Sequence, residues 1–181
     1  RSGRGQYIDM ALLDTQVAWL AKQNTNYLIG GEVPKRMRNA HPNVVPYQTF
    51  PTADGDVILA VGNDAQFKRF CAVAGIADTG ADPRFANNAL RIANRDACIA
   101  AIAPAMKRRT TAEWIAALEP LGVPCGPIHR LHEVFANPQI RHRGLQVDVP
   151  HPLADSVPLV ANPIRYSRTP LDYRVPPPLL G

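Results

Sequence analysis

The sequence predicts a mixed α/β protein whose middle forms a compact α+β unit set into a larger fold. Three stretches carry that reading. Tyr47-Gln48-Thr49-Phe50 and Val57-Ile58-Leu59-Ala60-Val61 are β-rich runs flanking Ala53-Asp54-Gly55-Asp56, a pattern that predicts a β-hairpin in which Asp-Gly supplies positive φ. Residues 63–122 then show apolar positions at helical spacing between caps and stops. After Gly144, alternation returns in Leu145-Gln146-Val147-Asp148-Val149 and Val157-Pro158-Leu159-Val160, which predicts a second strand pair.

In chain order, residues 6–12 read as a buried strand, and Asp14 offers its carboxylate as N-cap to a helix carrying Val17, Ala18, Leu20 and Ala21. That helix is apolar nearly all round, so it needs cover on several sides. Gly30-Gly31 ends it, and residues 32–46, which have no period, read as a traversing linker. Asn63 or Asp64 caps the next helix, in which Phe67, Phe70, Cys71 and Ala74 share a face and Gly75 is the left-handed stop; Cys71 is assigned to the core. Residues 86–109 predict two alanine-rich helices, with Asn94 or Asp96 as the restart and Pro104 forcing a bend or break. Thr110-Thr111-Ala112-Glu113 is a capping box opening a helix with the stripe Trp114, Ile115, Leu118 and Leu121, closed by Gly122. Two prolines and a glycine make residues 123–128 extended. Short helices are expected at 131–135 and 138–143. The start on Arg1 and the end on Pro176-Pro177-Pro178-Leu179-Leu180-Gly181, uncapped and uncharged, lead us to expect a piece of a longer polypeptide.

With 181 residues, 46% hydrophobic and 19% charged, the chain can bury a real core, which argues against global disorder. Eighteen prolines, about twice the usual share, predict long ordered surface connections. Cys71, Cys98 and Cys125 are odd in number and far apart, without metal-knuckle or disulfide-scaffold spacing, so a reducing cytoplasm is the compartment that fits. No apolar run reaches the roughly 20 residues of a bilayer span, and no membrane partner is expected. A net charge of +5 favours phosphates, but the cations are dispersed and no run interleaves aromatics with Arg or Lys. No nucleic-acid partner is expected, and a non-catalytic polyanion-binding module is the minor alternative.

The candidate chemistry is sparse. His129 and His132, three apart, can share a helical face, yet lack an acidic companion at zinc-enzyme spacing, and no metal site is expected. Ser2, Ser156 and Ser167 lack a nucleophile-elbow context, and Cys125 has no neighbouring cation to activate it, so it reads as a buried thiol. Gly3-Arg4-Gly5 precedes a strand rather than following one, which argues for a turn over a phosphate cradle. Asp9, Asp14, Asp54, Asp56, Asp64, Asp82, Asp96 and Glu113 all have readings as caps, turn residues or surface groups, and no catalytic residue is assigned to this chain.

An ordered series of short motifs runs the length of the chain. It includes Gly3-Arg4-Gly5-Gln6, His41-Pro42, Pro46-Tyr47, Asp54-Gly55, Gly62-Asn63-Asp64, Asp82-Pro83-Arg84-Phe85, Asn94-Arg95, Glu113-Trp114, Gly122-Val123-Pro124-Cys125-Gly126-Pro127 and Pro138-Gln139. In this order they resemble the class III CoA-transferases, the family of the formyl-CoA:oxalate and carnitine CoA-transferases and of α-methylacyl-CoA racemase. The resemblance implies a Rossmann-type α/β large domain, here a strand and helix with the outgoing linker at 1–45. It also implies an α+β small domain at 46–144 and a return segment at 145–181. It implies an interlocked homodimer, no tightly bound cofactor and a coenzyme A thioester as substrate. The implied reaction moves CoA from an acyl-CoA donor to a carboxylic or dicarboxylic acid, or alternatively racemises an acyl-CoA. The family's nucleophilic aspartate lies upstream of the segment resembling Arg1. The segment His41 to Gln48 would form one wall of the acyl or acceptor pocket, with His41, Tyr47 and Gln48 as substrate-binding residues. It lacks the glycine-rich flap of oxalate-using members, so a succinyl-type dicarboxylate fits better. That His41 and Tyr47 only fasten a linker to the hairpin remains the competing reading.

Overall fold

A three-stranded antiparallel sheet, in the order β1-β2-β3, organises the molecule; it comprises β1 (Tyr47–Pro51), β2 (Asp56–Ala60) and β3 (Cys125–Pro127). The computed structural model describes residues 3–179; the expectations touching Arg1, Ser2, Leu180 and Gly181 lie outside the described residues. Tyr47 pairs with Ala60 and Val57 with Pro127, so the predicted hairpin gains a third strand from the Val-Pro-Cys-Gly-Pro segment, which was expected only to be extended. Val57 and Leu59 alternate with the strand period and are both fully buried.

Helices α3 (Asp64–Val73), α4 (Ala77–Ala81), α5 (Asn88–Ala93), α6 (Arg95–Met106) and α7 (Thr111–Leu118) follow, and α3, α6 and α7 supply most of the rest of one core. Phe67, Phe70 and Cys71 of α3, Cys98, Ile102 and Met106 of α6, and Trp114 and Leu118 of α7 are all buried. Each such large apolar side chain contributes about 1.5–3 kcal/mol by leaving water. Trp114 also satisfies its indole N–H, donating to the Met106 carbonyl at 2.7 Å, and the Arg109 guanidinium lies 5.0 Å over its ring. Among the described residues the fully buried charged group is Arg91; it donates to the carbonyls of Val45 (2.7 Å) and Phe85 (3.0 Å) and to Asp64 (2.8 Å).

Local signals place the helix ends. Asn63, rather than Asp64, is the cap of α3, accepting from the Gln66 amide, while Asp64 is left to meet Arg91. Asn94 separates α5 from α6. The capping box forms as expected, Thr110 and Glu113 each accepting from the other's backbone. Gly75 and Gly122 adopt the left-handed φ of 66° and 65° that ends a helix without a Cβ penalty. Beyond the core lie α8 (Leu131–Ala136), α9 (Pro138–His142) and a separate antiparallel pair, β4 (Gln146–His151) with β5 (Ala154–Val160).

Several expectations require correction. Residues 6–11 form no strand, because no second strand among the described residues lies beside them to take their backbone hydrogen bonds. Asp14 sits inside the first turn of α1 (Leu12–Trp19), whose N-cap is Ala11 without a side-chain cap. The single helix expected to run to Gly30 is two, α1 and α2 (Lys22–Gly30), broken at Ala21 with φ of 45°; the Asn24 side chain caps the break, its Nδ2 donating to the Val17 carbonyl at 2.7 Å. Neither helix buries a residue, so the cover expected for their apolar faces does not come from the described residues. Gly55 does not take positive φ, since the hairpin closes through a four-residue loop in which Thr52 and Gly55 bond one another. Pro104 does not break α6: it lies exposed in the last turn, where the carbonyl its missing N–H frees belongs to the exposed Ala100.

Candidate substrate-binding site

The segment from Asn39 to Gln48 joins the linker to β1 and is pinned at both ends. Asn39 donates to the Thr49 hydroxyl at 2.6 Å, the His41 amide donates to the Tyr47 carbonyl at 2.9 Å, and the Val61 amide donates to the Pro46 carbonyl at 3.0 Å. Between these ties the chain doubles back so that the rings of His41 and Tyr47 stack, with centroids 5.1 Å apart and planes at 19°. Arg38, just before it, holds a left-handed φ of 54°, a conformation that costs a residue with a Cβ.

The electrostatics of His41 follow from its contacts. The Asn43 amide donates to His41 Nδ1 at 3.1 Å, so the neutral ring carries its proton on Nε2. Partial burial, then the positive charges of Lys22 and Arg95, hold the imidazole below its usual pKa. His41 is therefore a neutral hydrogen-bond donor in positive surroundings, which suits an anionic oxygen and not a cation.

Gln48 is placed differently from its two companions. Adjacent strand residues point to opposite faces, and Gln48 lines a cleft of about 860 Å3 between the linker residues Lys35, Arg36 and Arg38 and the face of α6 that carries Arg95 and Ile99. His41 and Tyr47 are not part of that cleft. Arg95 bridges the two places: it lines the cleft, donates through Nη2 to the Pro42 carbonyl at 2.6 Å, and contributes to the depressed pKa of His41. Its Nη1 is buried without a hydrogen-bond partner, and burial lowers its own pKa. Lys22 and Arg95 lie about 20 and 50 residues from His41, and no local sequence pattern links them to it.

The other candidates are structural groups. Burial pushes the thiol of Cys71 up to about 12 and that of Cys98 up to about 11, and raises that of Cys125, so none is poised as a thiolate. His129 lies in coil before α8 while His132 lies within it, so their spacing of three does not place them on one helical face. Among the described residues no three His, Cys, Asp or Glu stand together as metal ligands. Asp54 accepts from the Thr111 amide at 2.7 Å, Asp82 pairs with Arg84 at 2.7 Å, and Glu113 closes the capping box; these hydrogen bonds depress all three carboxyl pKa values and tie the groups to turns and caps.

A family model described as CoA-transferase family III matches residues 1–181. The succinate–glutarate CoA-transferase of Agrobacterium fabrum is 48% identical over the whole chain, which covers 45% of that protein. The human succinyl-CoA:glutarate CoA-transferase is 36% identical, the chain covering 41% of it. A CAIB/BAIF family protein from Brucella suis of known structure superposes with a TM-score of 0.81 at 43% identity, over 99% of this chain and 46% of that one. The chain thus spans less than half the length of these relatives.

Proposed function

The chain belongs to CoA-transferase family III, and from that premise we propose that it is the C-terminal part of an acyl-CoA:carboxylate CoA-transferase. The observation that carries the reading is the match over every residue to a family of CoA-transferases, with 48% identity to a relative named for succinate and glutarate. In this reading an aspartate outside the chain attacks the acyl-CoA thioester. CoA attacks the aspartyl carbonyl of the resulting mixed anhydride and releases the donor acid as its carboxylate. The acceptor carboxylate then attacks the enzyme–CoA thioester, expelling CoA and forming a second anhydride, and CoA attacks the acceptor carbonyl to give the new acyl-CoA and restore the aspartate. Residues 1–45 belong to the large domain, 46–144 to the small domain and 145–181 to the return segment of an interlocked homodimer. Cytoplasmic residence, read from the free cysteines Cys71, Cys98 and Cys125, is part of the same proposal.

What this chain supplies is one wall of the acyl or acceptor pocket. His41 offers Nε2–H to a carboxylate oxygen, and the ring of Tyr47 flanks the same position. Lys22 and Arg95 raise the local concentration of anions. Gln48, on the neighbouring cleft, is the third contact proposed. A succinyl-CoA donor and a dicarboxylate acceptor agree with the names of the Agrobacterium and human relatives.

The test is to incubate the full-length protein with succinyl-CoA and glutarate and follow the acyl-CoA products by mass spectrometry. Formation of glutaryl-CoA, dependent on glutarate, is the expected result. Exchange of an α-proton on a branched acyl-CoA without transfer to any carboxylate would assign the protein to the racemase branch instead.

A further inference from the structure

The backbone of residues 42–45 is held by side chains from the paired helices α5 and α6, not by a strand ladder. Asn88 accepts from the Val45 amide at 3.1 Å and donates to the Asn43 carbonyl at 2.9 Å. Arg91 donates from Nε to the Val45 carbonyl at 2.7 Å, and Arg95 from Nη2 to the Pro42 carbonyl at 2.6 Å. Three side chains at positions 88, 91 and 95 thus engage four backbone groups within four consecutive residues. This segment carries the Asn43 amide that fixes the His41 tautomer and leads through Val45 and Pro46 into Tyr47.

A mere anchor for a linker would not need such dense bonding. Arg91 is itself immobile: it is fully buried, its other nitrogens bond Phe85 and Asp64, and its guanidinium lies 4.6 Å over the Phe67 ring. One end of the clamp is therefore part of the core, and the other reaches Arg95, whose charge acts on His41. Rigid core, clamp, loop and His41 form one connected chain of contacts.

We infer that Asn88, Arg91 and Arg95 are positioning residues that clamp the 42–45 backbone and so fix His41 and Tyr47 against the carboxylate end of the acceptor. The inference rests on the reading of the His41 segment as a pocket wall. Misplacing a binding group by about 1 Å is enough to cost of order tenfold to a hundredfold in efficiency. The loss falls on the small acceptor, which has few other handholds, and much less on the acyl-CoA, whose nucleotide offers many more contacts.

Asn88→Ala tests this in the full-length enzyme, because it removes two clamp bonds at once without touching the core guanidinium. The KM for the dicarboxylate acceptor should rise about tenfold while the KM for the acyl-CoA donor changes less than about threefold. Should Asn88→Ala fail to fold, Asn88→Asp is read instead: it keeps the oxygen that accepts from Val45 and loses the donor to Asn43, so the same split is expected. An unchanged acceptor KM alongside a lowered melting temperature would overturn the inference, leaving the clamp as stability alone. A parallel rise in both KM values would overturn it equally. Failure of the functional reading itself looks different, since the wild-type enzyme would then transfer no CoA to any carboxylate.

Discussion

His41 gathers most of the informative physics of the chain in one side chain. Burial comes first and the charges of Lys22 and Arg95 second in holding its pKa below the ordinary 6.5. The consequence has a definite sign: the unfolded chain takes up the proton before the folded one does, so the folded state loses stability as protons are added. The contribution is complete above the unfolded value near 6.5 and is lost as pH falls through the depressed folded value. The melting temperature of the full-length enzyme should therefore exceed that of His41→Asn by a constant margin at neutral pH, and the margin should shrink on acidification below about pH 6.5. A margin that widens on acidification would mean that the ring is stabilised as a cation, and the assignment of an anion-facing neutral donor would fail with it.

At the level of elements, small steric facts decide the packing. Gly80 lies in α4, and a Cβ there would sit 2.9 Å from the Cβ of Cys71 on α3. Neither atom is on a flexible tip, so Gly80→Ala should destabilise the protein by about 1–3 kcal/mol through overpacking despite alanine's better helix propensity, measured by urea unfolding. Most of this layer is legible in the sequence because its determinants are local. Thr110 and Glu113 announce their helix three residues apart, Gly75 and Gly122 mark stops, and the runs around Asp54-Gly55 announce a hairpin. The failures are also instructive. Residues 6–11 have the composition of a strand, but a strand exists only with a neighbour to pair with, and composition says nothing about that neighbour. Pro104 is tolerated because of where in α6 it falls and which side faces water, neither of which its identity reveals.

For the molecule as a whole, the site was legible only in outline. The stacking of His41 on Tyr47 joins residues six apart and could be suspected from the segment itself. The clamp could not, since Asn88, Arg91 and Arg95 meet residues 42–45 across more than 40 positions of intervening sheet and helix. Gln48 shows the converse: adjacent to Tyr47 in sequence, it is directed by strand alternation into a different cleft. Long-range meeting points depend on packing, whereas caps and turns depend on neighbours, and the proposed site is built mostly from the former. The exposed apolar side chains of α1 and α2, Leu12, Leu13, Trp19, Leu28 and Ile29 among them, have no cover among the described residues, as a surface fitted to further protein would look.

The proposed function divides the labour between a scaffold that shapes the pocket and a nucleophile carried elsewhere. Peptide mapping of the full-length enzyme, quenched during turnover with an acyl-CoA, tests that division most directly. It should find the coenzyme A adduct on an aspartate outside these 181 residues. An adduct on any aspartate or glutamate between Asp9 and Asp172 would contradict it.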